Sequence, residues 1–93
     1  MFIGCLQVEL IIPESTSLKE KRMVLNSIKQ RLRNKFNVSI AEIDHQDLWQ
    51  RATLGIAMVS NGNQHINQAL DKILGFIDDQ DQSQVIDYQI EIL

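Results

Sequence analysis

Residues 36–60 read FNVSIAEIDHQDLWQRATLGIAMVS, and this stretch decides the fold class. Its first nine residues, FNVSIAEID, alternate apolar and polar positions, the period-two signature of a half-buried strand. Its last part, ATLGIAMVS at 52–60, is a second strand, apolar on both faces. Only seven residues, His45 to Arg51, lie between them. A parallel crossover needs about a dozen residues or more, so the two strands are expected to be antiparallel neighbours.

Upstream, residues 2–12 (FIGCLQVELII) alternate again, with Phe2, Leu6, Val8, Leu10 and Ile12 on one side and Cys5, Gln7 and Glu9 on the other. Pro13 has no ladder donor and ends this strand. Ser17-Leu18-Lys19-Glu20 reads as a capping box, with the serine oxygen serving the amide three residues on and Glu20 reaching back. A helix is predicted from Leu18 to about Asn34, its apolar face made by Leu18, Leu25, Ile28 and Leu32 with Val24 at the margin. Downstream, Asn61-Gly62-Asn63 is a turn cluster, and Ile66, Leu70, Ile73 and Ile77 follow at helical spacing. The chain closes on a strand over 85–93, with Ile86, Tyr88, Ile90 and Ile92 expected to face the core. The order strand, helix, strand, strand, helix, strand is the split βαβ plan. It predicts an α+β, ferredoxin-like βαββαβ sandwich: a four-stranded antiparallel sheet in the order 4-1-3-2, with both helices on one face.

The chain has 93 residues, 44% of them hydrophobic and 23% charged, which suits a single domain over 1–93 and excludes a disordered tail or a coiled-coil rod. Its net charge of −3 conceals a split. Residues 19–35 hold seven of the nine Lys/Arg and one acid, Glu20, whereas the remaining residues hold eleven acids and two bases. One basic segment on an acidic body implies a directional partner. The lone Cys5 has no disulfide or metal-binding partner cysteine, and no apolar run approaches the roughly 18 residues of a membrane span, so a cytoplasmic protein is expected.

SLKEKR at 17–22 and RLRNKFNVSIAEIDHQDLWQRATLGIAMVS at 31–60 resemble the YlxP-like family of small bacterial domains of unknown function. The resemblance spans nearly the whole chain, strongest through Ser60 and weaker in the second helix and tail. It implies a ferredoxin-like fold, as the residues do. Members are often encoded beside translation and ribosome-maturation factors, which implies ribosome or RNA work by association. The family brings no established catalytic activity and so no catalytic residues to carry over.

On a helical wheel, Arg22, Lys29 and Arg33 lie within about 40° of one another, extended by Asn26 and Lys19. At 1.5 Å per residue, Arg22 to Arg33 spans about 16 Å, enough to meet two or three backbone phosphates of RNA. Lys19, Lys21 and Arg22 crowd the first turn against the helix dipole, so a phosphate at the free amides is a second candidate site. The alternative is that Glu20 and the cap already offset that cost.

The open sheet face offers no aromatic on its central strands for base stacking, and Asp87, Gln89 and Glu91 would repel phosphate. Its other half is small and apolar: Ala41, Ile43, Gly55, Ala57 and Val59 are expected to form a protein-partner or homodimer interface. In the hairpin, Glu42, Asp44, His45 and Asp47 offer oxygen and nitrogen ligands. Alternating faces argue against one shared metal, although Glu42 and Asp44 are expected to share a face. His45 and Asp47 lack a nucleophile or a glycine-rich loop. Trp49 is expected to cap the core under the first helix; the alternative is a partner anchor. The sequence thus predicts a non-enzymatic domain without cofactor or metal, binding RNA or a ribonucleoprotein through its first helix, with an interaction module using the sheet face as the alternative.

Overall fold

The computed structural model describes all 93 residues, Met1–Leu93. Six elements follow in the expected order: β1 (Phe2–Ile11), α1 (Leu18–Lys35), β2 (Ser39–Asp44), β3 (Arg51–Ser60), α2 (Asn63–Asp78) and β4 (Gln84–Ile92). The strands form one sheet in the order β2-β3-β1-β4, and every neighbouring pair is antiparallel. This is the ferredoxin-like α+β sandwich that the sequence predicts.

The core lies between the sheet and the helices. Leu6, Val8 and Leu10 of β1 and Ala52, Leu54 and Ile56 of β3 meet Leu25, Ile28 and Leu32 of α1 and Ile66, Leu70, Ile73 and Ile77 of α2. Gly4 shares the core-facing row of β1, and a Cβ there would stand 2.5 Å from Ile66 Cγ2 and 3.1 Å from Leu70 Cδ1. Its missing side chain is what lets α2 approach the central strand. Phe2, expected beside these residues, is instead exposed at the strand's start.

Two boundaries differ from the sequence reading. Phe36 caps α1, donating its backbone N–H to Leu32 O, so the second strand starts at Ser39 rather than at residue 36. Phe36 and Val38 still pack against the core from this connection. In β4 the register slips: Glu9 pairs with Asp87 but Leu10 with Val85, leaving Ile86 as the extra residue of a bulge. Val85 therefore packs against the core, and Ile86 is exposed. Tyr88 opposite Val8 is also exposed on this edge strand, leaving Ile90 and Ile92 as the inward pair.

Candidate functional site

Ser17 adopts an extended conformation ahead of α1, and its Oγ accepts from Glu20 N at 3.1 Å. The glutamate reaches back one residue further than a capping box requires: its carboxylate accepts from Thr16 N at 2.9 Å and Thr16 Oγ1 at 2.8 Å. The backbone bond and then the hydroxyl bond stabilise the ionised form and hold the Glu20 carboxyl below its ordinary value. A negative charge at a helix N-terminus suits the macrodipole and opposes a second anion there.

Lys21 completes the case against a phosphate site at that terminus. It is 1% exposed, in the same helical row as Leu25, Ile28 and Leu32. Its ammonium donates to His45 O at 2.9 Å, Arg51 O at 3.2 Å and Gln46 O at 3.3 Å, which consumes its three protons. Glu42 Oε2 lies 2.9 Å away and supplies the counter-charge. Lys21 is thus removed from the expected anion-binding set, because it pins the β2–β3 hairpin to the helix from inside. The sequence held a signal for this that charge obscured: spacing of four, three and four residues places 21, 25, 28 and 32 on one face.

The remaining cations of α1 fall on two flanks of that buried row. Arg22, Lys29 and Arg33 lie on the flank beside β2, where Arg33 Nη2 donates to Ile40 O at 3.2 Å, and Lys19 extends the row at the helix start. Lys19, Arg22 and Arg33 are exposed and Lys29 is half-buried. The chain's two ion pairs are Lys21–Glu42 and Arg51–Glu9, so no carboxylate lies within 4.0 Å of any cation in this row. On the far flank, Arg31 Nη1 donates to Gln80 Oε1 at 3.0 Å, and Lys35 Nζ lies 5.4 Å from the Phe76 ring centroid.

On the open sheet face the five predicted interface residues come together. Ala41 pairs with Gly55 and Ser39 with Ala57, while Ala57 and Val59 lie opposite Cys5 and Ile3 of β1. Ile43 leans across the space above Gly55, its Cγ2 3.0 Å from where a Cβ would stand. Ile43 is 46% exposed and Val59 58%. Beyond them the face turns polar, with Gln7 in register with Gln89, Cys5 with Glu91, and Glu9 bridged to Arg51 at 3.2 Å.

The hairpin residues scatter. Glu42 turns inward to Lys21, and a register shift separates it from Asp44, so the two do not follow simple alternation. His45 takes a left-handed backbone (φ 63°). Its N–H donates to Asp44 Oδ1 at 2.8 Å and its ring Nδ1 lies 3.0 Å from Thr53 Oγ1, so its partner is a threonine rather than Asp47. No group of three or more His, Cys, Asp or Glu side chains converges to hold a metal. Trp49 is 55% exposed at the hairpin tip beside exposed Leu48, which corrects the expectation that it caps the core. Lys21 and the loop carbonyls occupy that end of α1 instead.

Fold and surface together define a small ferredoxin-like domain with a row of unpaired cations along its first helix. The chain belongs to the family described as "Protein of unknown function (DUF503)", whose model matches residues 3–90. It is 51% identical over 76 residues to "Uncharacterized protein YlxP" of Bacillus subtilis (strain 168), covering 82% of this chain and 83% of that protein. Among solved structures, the de novo designed protein Foldit4 superposes with a TM-score of 0.56 at 12% identity, over 100% of this chain and 97% of that one. The designed protein Ferredog-Diesel gives 0.52 at 13% identity, over 96% and 83%. At these identities the likeness concerns the fold alone. No helix is long and apolar enough to cross a membrane.

Proposed function

We propose that this chain is a non-enzymatic, cytoplasmic domain that binds RNA or a ribonucleoprotein, in ribosome maturation or translation, through the β2-facing flank of α1. The observation that carries this reading is the row Lys19, Arg22, Lys29 and Arg33, unpaired although the chain has more acids than bases. Arg22, Lys29 and Arg33 would meet successive phosphates, and Lys19 would add to them at the helix start. A guanidinium still has free donors after one bond, so Arg33 keeps capacity beyond Ile40 O. The absence of an aromatic pair on β1 and β3 leaves contacts to the backbone in charge, hence shape-reading rather than base-reading.

The test is binding of a single-stranded RNA oligomer by fluorescence anisotropy across a salt series. Three to four phosphate contacts give a slope of log K against log salt of about −2 to −3. The paired reversal Arg22→Glu with Arg33→Glu abolishes most of that slope and of the affinity. A curve flat from low to physiological salt overturns this mode.

A second reading is favoured by the apolar half of the open face, where Ala41, Ile43, Gly55, Ala57 and Val59 leave Ile43 and Val59 largely exposed. Such a patch suits a protein partner or a second copy of the chain. Sedimentation at high concentration together with Val59→Lys separates the readings, since the substitution disturbs assembly and spares salt-dependent RNA binding.

A further inference from the structure

A groove of about 590 Å³ lies on the side of α1 away from the cation row, between the β1–α1 loop and the loop that enters β4. Its volume falls within the range of small-molecule sites, about 300–1,000 Å³. Three carboxylates, Glu14, Glu20 and Asp81, line it, and no lysine, arginine or histidine does. Met23 and Val24 form an apolar part of the wall. Toward the middle of α1 the depression continues past Val24 and Asp81 to Arg31, whose guanidinium is turned to Gln80.

Two further facts narrow what such a groove holds. Ser83, 4% exposed, is among its lining residues, and the Ser83 Oγ has no hydrogen-bond partner in the protein. The other buried serine of the groove, Ser15, is by contrast satisfied, donating to Ser17 O at 2.9 Å. An unmet buried hydroxyl is destabilising, so a ligand that meets it recovers part of that cost. In addition, no three acidic groups of this chain converge on one point, so Glu14, Glu20 and Asp81 share a groove without sharing a metal ion. Spaced anions along an apolar wall match spaced cations joined by methylene chains. Glu20 is already held ionised by Thr16 and needs no further adjustment to serve as one of those anions.

We infer that this groove is a binding site for an aliphatic polyamine, with ammonium groups on Glu14, Glu20 and Asp81, methylenes against Met23 and Val24, and Ser83 Oγ accepting one further N–H. The site lies apart from the cation row, and its occupancy does not depend on RNA binding. Spermidine is the probe. Titrated into the full-length, isotope-labelled chain, it should shift the amides of the β1–α1 loop, the first turns of α1 and residues 81–84, and the shifts should saturate. Hexanediol, which keeps the methylenes without the charge, and magnesium chloride at matched ionic strength should not reproduce them. Glu14→Gln with Asp81→Asn should weaken binding at least about tenfold. Asp87→Asn with Glu91→Gln, an equal loss of charge on the open sheet face, should leave it unchanged. Ser83→Ala, a milder change, should weaken binding severalfold in a chain that melts no lower than the parent. Shifts that fail to saturate, that magnesium reproduces, or that the Asp87/Glu91 variant reduces as much as the Glu14/Asp81 variant would overturn the assignment.

Discussion

The two helices hold to the same sheet by different chemistry. α2 presents Ile66, Ala69, Leu70, Ile73 and Ile77 to the core and settles onto Gly4, without any side-chain hydrogen bond at its N-cap, Gly62. α1 presents three buried apolar residues and one buried lysine, and is capped by Ser17 and tied to the hairpin through Lys21. Packing is non-directional and tolerates an uncharged, simple surface. A polar pin fixes position and azimuth, because three carbonyls and a carboxylate must be met at once. The helix that carries the cation row is thus the one whose rotation about its own axis is specified by hydrogen bonds.

Removing each anchor tests this contrast, and the largest effects come first. Lys21→Met leaves Glu42 and three hairpin carbonyls without their partner and should cost about 3–5 kcal/mol in chemical denaturation. Hydrogen exchange should show the loss concentrated in residues 45–51 and the first turn of α1. Ile73→Ala should cost a similar amount, about 2–5 kcal/mol, but lower protection across the whole sheet, as an apolar cavity in the shared core does. Equal protection patterns in the two variants would break the distinction.

Next in size is Gly4→Ala. Its methyl meets Ile66 Cγ2 in the tight contact between β1 and α2, so a loss of about 1–3 kcal/mol is expected in the same denaturation experiment. Gly75→Ala sharpens the contrast from the other side. This glycine is exposed within α2 and a Cβ there meets nothing within 4 Å, so the substitution should stabilise by about 0.5–1 kcal/mol, visible as a raised Tm.

The smallest effect concerns pH. Glu20 has its carboxyl lowered in the folded chain by Thr16, so its contribution is present above the unfolded carboxylate value and fades as pH falls through the folded one. Glu20→Gln should therefore lower the neutral region slightly and flatten the acid side, so that the two stability profiles converge at low pH. An identical acid limb in the variant would show that this cap is energetically silent.

Alternation and helical spacing made the sheet order and both helices legible, since each strand has one face on a shared core. The same rule misplaced Ile86, because the bulge opposite Glu9 and Leu10 shifts the phase by one residue and nothing in QVIDYQI announces it, and Tyr88, which is in phase with Val8 but stands exposed on the edge strand. The cation row was legible too: Arg22, Lys29 and Arg33 share a flank because wheel geometry depends on rise and turn alone. Lys21 was not, since a charge is ordinarily assigned to solvent, and only the three-dimensional meeting of Glu42 with three carbonyls of the hairpin makes burial tolerable. Trp49 misled for the complementary reason, a large apolar residue for which the core has no room at that end. The acidic groove joins residues from both ends of the chain, Glu14 and Asp81 among them, and no local pattern links them.

The hairpin tip has a practical consequence. Trp49 is the chain's single tryptophan, exposed and four residues beyond the His45 carbonyl that Lys21 holds. Its emission therefore reports on one loop and nothing else, and the loop's tether is the residue immediately before Arg22 in the cation row. The domain carries its own optical gauge: intrinsic fluorescence follows whether the start of α1 and the hairpin move together, with no label attached.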